Sequence, residues 1–397
     1  MENAEPEARD AFFHHLSLAE EERFSSVSVK RAQTKDSQWQ VWIAFCKSLG
    51  INQHLENVGP KLPILSVFAS QLRQGLIAPS KHSLRANTVA DYVCTVAETI
   101  ASLGTEVDPR FGINGKLHIL LQQQYKSYRN DDPPPDRVKP VPLGLILHVV
   151  QHLQGTPMGA AKADLIIIAF WFLLRPGEYC FNPDGDNAPF RLQDVSFEYF
   201  SETVNAALLP IPLLGPLPEV HLRFTIQKNM TRDEDISHGD TSHPLLSPVK
   251  AVWRRVEHLR KHNAPPGTPL HTVYIDSQPI NITSKQLTDD LRAGVEAIGP
   301  SLNLLPSEIS ARALRAGGCM ALFRANVSAT NIRLMGRWRS WAMIEYLHRS
   351  GTDTSHYAQL MFDKGNFRLV RHSPLPTDTD VQNTIAQHPE PDVAAGL

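Results

Sequence analysis

The run NDDPPPDRVKPVP at 130–142 sets the first limit on what this chain can fold into. Five of its thirteen residues are proline. Proline fixes φ and lacks a backbone N–H, so neither a helix nor an inner strand can pass through such a run. Each residue before a proline is also pushed toward an extended conformation. The run reads as a semi-rigid linker, placed at 131–140, with a separate body on each side. A chain of 397 residues has the length for two domains.

The body before the linker, 25–130, reads as all helical. VKRAQTKDSQWQVWIAFCKSLG carries apolar residues at helical spacing and stops at Gly50. ILSVFASQLRQG predicts a second helix and LHILLQQQYKSYR a fourth. Between them TVADYVCTVAETIASLG predicts a third, with Asn87 or Thr88 as its cap. Residues 1–24 read as an acidic, disordered head.

The second body, 141–361, opens on two predicted helices, LGLILHVVQHLQ and AKADLIIIAFWFLL. RLQDVSFEYF and EVHLRFTIQK then alternate, which predicts an antiparallel strand pair around the proline-rich insertion ALLPIPLLGPLP. Helices resume in PVKAVWRRVEHLRKH and SKQLTDDLRAGVEAIG. Three more are predicted over SARALRAGGCMALFRA, SATNIRLMG and SWAMIEYLH. The tail, 362–397, is polar and proline-rich and reads as disordered. The expected class is mainly α with a small antiparallel sheet.

The four cysteines are far apart and show no CxxC spacing, so reduced thiols in an intracellular protein are expected. The longest apolar run, 165–174, is ten residues, too short to span a membrane. The N-terminus lacks the apolar stretch of a signal peptide. His148 with His152 and His258 with His262 have ligand-like spacing, but no HExxH frame surrounds them. They read as ordinary helix-face histidines.

Net charge is −2, which taken whole argues against a nucleic-acid partner. The charge is unevenly placed. The head carries seven acids against two arginines and the stretch 361–397 five acids against three bases, which leaves 25–360 at +5. Within it, 307–349 holds seven arginines against Glu308 and Glu345. A solvated face mixes lysine with glutamate, whereas an arginine set with few acids suits phosphate.

Four points carry chemistry. Arg175 follows the apolar run directly, and a charge beside a core needs an anionic partner, either Glu178 or a ligand. Lys228 is the single lysine between Lys162 and Lys250, at the predicted end of the second strand. Arg312 and Arg315 stand at i and i+3 on one predicted helix, where two guanidiniums repel unless an anion lies between them. The Gly317-Gly318 pair after them admits another backbone. GRWRSWAMIEYLH closes the set with Arg337, Trp338 and Tyr346. Several cations and one tyrosine are what phosphodiester transesterification requires. The phenol attacks phosphorus, arginines stabilise the spread charge, and a lysine protonates the leaving oxygen. No metal or cofactor is implied.

The order Arg–Lys–RxxR–GRW–Tyr resembles the tyrosine recombinases of the phage-integrase family. LLRPGE, LRAGG and MGRWRS…YLH are most similar to eukaryotic, Crypton-type transposon members. The resemblance covers about 140–350, and the helical body before the linker matches the family's core-binding domain by architecture alone. It implies that Tyr346 is the nucleophile, Arg175 and Arg315 the catalytic arginines, Glu178 the acid of the first motif and Lys228 the general acid. Arg312 stands where the family usually has histidine. The later His-or-Trp position falls on Arg337 by counting from Gly336, or on Trp338 by residue type.

The resemblance also implies double-stranded DNA as partner and a homo-oligomer, a tetramer, on it. No membrane partner is implied. Lys30, Arg31, Lys35, Lys81 and Arg85 in the first body, and Arg333 and Arg339 in the second, are candidate backbone contacts. Integration or excision of a transposon is the implied role, in the nucleus if the source is eukaryotic and otherwise in the cytoplasm. A descendant that binds DNA with weak or no chemistry is the alternative, and a scaffold for acidic protein partners a third reading.

Overall fold

The computed structural model describes residues 5–347 apart from 26–28, 57, 103–106, 113, 135–138, 184–188 and 226–232. Lys228 and the expected tail lie outside the described residues.

The first core is built from four helices: α2 (Val29–Leu49), α3 (Lys61–Arg73), α4 (Ala86–Ser102) and α5 (Ile119–Asp131). In α3 the buried residues are Leu65, Phe68, Ala69 and Leu72, an i, i+3, i+4, i+7 set that forms one helix face. Trp42, Phe45 and Phe68 meet at the centre, with Trp42 edge-on to Phe68 at 5.0 Å. Each such fully buried side chain is worth about 1.5–3 kcal/mol. The expected cap of α4 is replaced. The helix starts at Ala86, and its first N–H donates to Asp132 Oδ2 at 2.9 Å, an acid from the start of the linker region that also binds Arg73.

The acidic head differs from expectation, since α1 (Pro6–Ser25) is helical. Its sequence is dense in alanine, leucine, glutamate and arginine, all strong helix formers. Phe12, Phe13 and Leu16 on it stay exposed, so local propensity rather than packing accounts for the helix.

The second core begins at Val141. Helices α6 (Leu143–His152), α7 (Pro157–Trp171), α9 (Pro248–Lys261), α10 (Ser284–Leu302) and α11 (Ala313–Arg324) pack on one another, and α9 also packs on a sheet. Helix α7 is buried at every position from Ala163 to Phe170, which places it at the centre. Thr156 caps it by accepting from Gly159 N–H, with Pro157 at the first helical position. The helix stops at Trp171, three residues short of the apolar run's end. Leu173 has φ +51, and the one-turn helix α8 (Pro176–Tyr179) follows.

Strands β1 (Val195–Tyr199) and β3 (Glu219–Phe224) pair antiparallel with Phe197 opposite Val220, both fully buried. The sheet is larger than the expected pair. Strands β2 (Glu202–Asn205) and β4 (Glu234–Gly239) extend it to the order β2-β1-β3-β4. A separate hairpin joins β5 (Thr272–Ile275) and β6 (Gln278–Asn281). The chain then runs through α12 (Ala329–Met335) into a 3-10 helix at Trp341–Tyr346, where an α-helix was expected. No helix among the described residues is long and apolar enough to cross a membrane.

Candidate active site

The short stretch entering α11 is pinned from three directions. Arg292 Nε donates to Ile309 O, Ala311 N–H to Thr288 Oγ1, and Tyr179 Oη to Ala311 O at 3.0 Å. Beyond it, Gly317 and Gly318 press α11 against the other wall. A Cβ on Gly318 would lie 2.1 Å from Phe170 O, and one on Gly317 2.4 Å from Val141 O. That close approach brings Arg315 to the turn that ends α7.

Arg315 is 3% exposed. Its Nη1 donates to Leu173 O and its Nη2 to Gly336 O. Its Nε is buried with no hydrogen-bond partner among the described residues. Arg312, three residues earlier, is exposed at the N-cap of α11. The two guanidiniums therefore do not project together as the spacing predicted. Arg312 itself has helical φ −65 and ψ −26, so the two differ in burial and not in backbone: Arg315 packs against the end of α7 while Arg312 is exposed.

The pairing of Arg175 with Glu178 is present. Arg175 Nη1 donates to Glu178 Oε1 at 3.0 Å, and its backbone N–H to Oε2 at 2.8 Å. Glu178 does more than that, because its Oε2 also accepts from Arg337 Nη2 at 3.0 Å. One buried carboxylate thus joins two arginines 162 positions apart in the chain.

Arg337 owes its place to the end of α12. Arg337 N–H donates to Leu334 O at 2.9 Å and Trp338 N–H to Arg333 O at 3.0 Å, the paired bonds of a Schellman cap. The left-handed position in that cap is usually glycine. Here it is Arg337, at φ +57, a conformation that costs a non-glycine residue about 1–2 kcal/mol. Gly336 precedes it at ordinary φ, and its own role is spatial. A Cβ there would lie 1.6 Å from the Trp338 ring.

The consequence is a division between the two residues that share the later His-or-Trp position. The Arg337 side chain is wholly buried and stacks on Phe224, 3.7 Å from the ring centroid. It also donates to Phe172 O and Leu173 O. Trp338 is half-buried, covers Arg315 at 4.3 Å, and meets Tyr346 with ring centroids 5.6 Å apart. Tyr346, at the end of the 3-10 helix, is half-buried beside Arg315.

Three cations thus surround one acid. Burial pushes Arg315 down to about 9, helped by Arg175 and Arg337 and opposed by Glu178. Burial likewise lowers Arg337 to about 10, with Glu178 opposing. Both remain protonated at neutral pH, and the mutual repulsion is what a bound anion relieves. Strand β3 ends at Phe224 against Arg337 and β4 resumes at Glu234. Phe224 and Glu234, paired at the ends of these strands, therefore lie at this cluster.

Among the candidate phosphate contacts, Arg31 is bonded to Asp91 at 2.8 Å and Lys35 to Glu98 at 3.1 Å, both across α2 and α4. Lys30, Lys81, Arg85 and Arg339 are exposed, and Arg333 lies over the Trp341 ring at 5.0 Å. Phe224 and Leu173 stand outside the sequence motifs. Phe224 is an ordinary mid-strand aromatic of the predicted EVHLRFTIQK in sequence. Nothing in the sequence marks Leu173 as the carbonyl that two arginines share.

No family model matches this chain, and no curated protein matches it. Solved structures that resemble it include the Tn1549 transposon integrase in complex with circular intermediate DNA, at 14% identity, covering 81% of this chain and 98% of that one, with a TM-score of 0.41. The XerH site-specific recombinase bound to a palindromic difH substrate is 11% identical, with 78% and 74% covered and a TM-score of 0.45. A lambda integrase dimer bound to a COC′ core site is 13% identical, with 90% and 99% covered and a TM-score of 0.38. Likeness at this level carries no argument about residues or activity, and those rest on the geometry of Arg175, Glu178, Arg315, Arg337, Trp338 and Tyr346.

Proposed function

We propose that this protein is a tyrosine recombinase, a metal-independent strand transferase that cuts and rejoins double-stranded DNA through Tyr346. One observation carries the reading. Trp338 lies between a buried arginine and a half-buried tyrosine, so a phenol stands at the edge of a cluster with more positive than negative charge.

In the first step Tyr346 Oη bonds to the phosphorus of the scissile phosphodiester and the P–O5′ bond breaks. The phenolic proton passes to solvent, and Lys228 supplies a proton to the leaving 5′-oxygen, the role the motif resemblance implies for it. The product is a 3′-phosphotyrosyl ester and a 5′-hydroxyl. A 5′-hydroxyl from a second strand then attacks the phosphorus and releases Tyr346. Arg175 and the buried Nε of Arg315 are the donors suited to the phosphoryl oxygens. Arg312 cannot take a proton at neutral pH, so its exposed guanidinium serves phosphate binding alone.

Site pairing makes a DNA-bound tetramer the proposed active form, with the helical body at 25–130 and the domain from 141 closing on the duplex. A Crypton-type transposon role and a nuclear location rest on the wording of LLRPGE and MGRWRS. One observation favours the second reading, a DNA-binding descendant without chemistry. The Arg315 and Arg337 guanidiniums already donate to backbone carbonyls.

The test is trapping. Wild-type protein and Tyr346→Phe are incubated with nicked duplex carrying the element's own termini, and an SDS-resistant adduct is sought. An adduct with wild type alone establishes the transferase and its nucleophile. Salt-sensitive binding without an adduct supports the descendant.

A further inference from the structure

The structure assigns Arg337 to a positioning role. We propose that it is a buried strut which touches no phosphate and sets the spacing between the Arg175–Glu178 pair, the base of the β3–β4 hairpin and the Trp338–Tyr346 segment. The inference rests on the strand-transfer reading and separates Arg337 from the phosphate-binding residues with which motif order groups it.

The contacts converge on this residue from every side of the cluster. Glu178 Oε2 accepts from Arg337 Nη2 and from the Arg175 backbone N–H, so Arg337 fixes the carboxylate that in turn fixes Arg175. Leu173 O accepts from Arg337 Nη2 and from Arg315 Nη1, so one carbonyl spaces two arginines. Leu173 itself is left-handed, at φ +51, which turns that carbonyl toward them. The Phe224 ring, at the end of β3, has the Arg337 guanidinium carbon 3.7 Å from its centroid. The Arg337 backbone, held left-handed by the cap of α12, then sends Trp338 over Arg315 and against Tyr346.

The ion pair with Glu178 is the feature that sets Arg337 apart from a phosphate contact. The side chain has 0% exposure, and Glu178 already neutralises it. Arg315, equally buried, is bonded to no carboxylate among the described residues, so its charge is left for a ligand while that of Arg337 is not. Arginine is also the side chain this place requires. A planar fork can serve two carbonyls and a carboxylate while its face lies on a phenyl ring, and lysine's single ammonium cannot.

The test uses the full chain as wild type, Arg337→Lys and Phe224→Leu. Three quantities are read: single-turnover cleavage of the nicked duplex, the slope of log affinity against log salt, and acrylamide quenching of Trp338. The last is taken as the difference from a matched Trp338→Phe protein. Arg337→Lys is expected to slow cleavage tenfold or more, to leave the salt slope at its wild-type value, and to raise quenching of Trp338. Phe224→Leu is expected to act the same way more weakly, and it carries the test if circular dichroism shows Arg337→Lys unfolded. A salt slope that falls by about one would mean a lost phosphate contact and would overturn the proposal. Cleavage at the wild-type rate, or unchanged quenching, would overturn it as well. If wild type itself forms no adduct, the strand-transfer reading fails, while the quenching difference still decides whether Arg337 holds Trp338.

Discussion

Glu178 accepts from Arg175 and Arg337 while only 2% exposed, so its charge has no substitute nearby. Glu178→Gln would leave the Arg337 guanidinium buried without its counter-charge. Breaking one partner of a buried pair costs about 3–5 kcal/mol, and urea denaturation at pH 7 should show a loss of that size. Gly336→Ala tests a different constraint. The new methyl would occupy the place of the Trp338 ring, which must leave its position over Arg315. Adduct formation through Tyr346 should then fall at least tenfold while circular dichroism changes little. Motif order supplied Arg175, Arg315, Trp338 and Tyr346 as a set and paired Arg175 with Glu178. It could not separate Arg337 from Trp338, because the two are adjacent in sequence and differ only in the direction the left-handed cap sends them.

Among the elements, the contact of α11 with the end of α7 is the most demanding. Its two glycines admit Val141 and Phe170 at distances no side chain tolerates. Gly318→Ala should destabilise the protein by about 1–3 kcal/mol, read as a lower urea midpoint with unchanged slope. The joint between α9 and β5 adds a pH dependence. His258 Nε2 accepts from Tyr274 N–H at 2.9 Å and is therefore neutral in the fold. Burial and then Arg255 push His258 from 6.5 down to about 4, and burial does the same to His271. The unfolded chain takes up these protons first. The stability they contribute is therefore full above about pH 6.5 and is lost as pH falls toward 4. Urea midpoints at pH 7.5 and 4.5 should differ, and His258→Asn should reduce the difference.

The long helices were legible because their apolar faces repeat, as in α3 and α9. Strands β2 and β4 were not, since ETVN and EDISHG carry at most one strongly apolar residue each and are sheet edges. The same applies to Trp341–Tyr346, where six residues are too few for periodicity to tell a 3-10 helix from an α-helix.

At the scale of the whole molecule, two hydrophobic cores lie on either side of the proline run, one within 42–125 and the other within 141–314. If the chain clamps a duplex, its affinity must come largely from released counterions. Binding to duplex DNA should then weaken by about 10³-fold or more between 50 and 200 mM salt, measured by fluorescence anisotropy. Arg312→Ala, which removes an exposed guanidinium from the α11 N-cap, should reduce the slope by about one. Near-neutral net charge is no obstacle, because the acids concentrate in α1 and the far tail while the arginines concentrate in 307–349.

The sequence by itself determined the division of the chain at the prolines, the helices with repeating apolar faces, and which side chains were available for phosphate chemistry. Those follow from local rules: proline geometry, periodicity and the charge of single residues. Only the tertiary structure decided which arginine is buried and which is exposed, that Glu178 joins two of them, and that Trp338 rather than Arg337 meets Tyr346. These depend on left-handed positions at Leu173 and Arg337 and on the bonds of the Arg337 side chain to Leu173 O and Glu178, which join segments far apart in the chain.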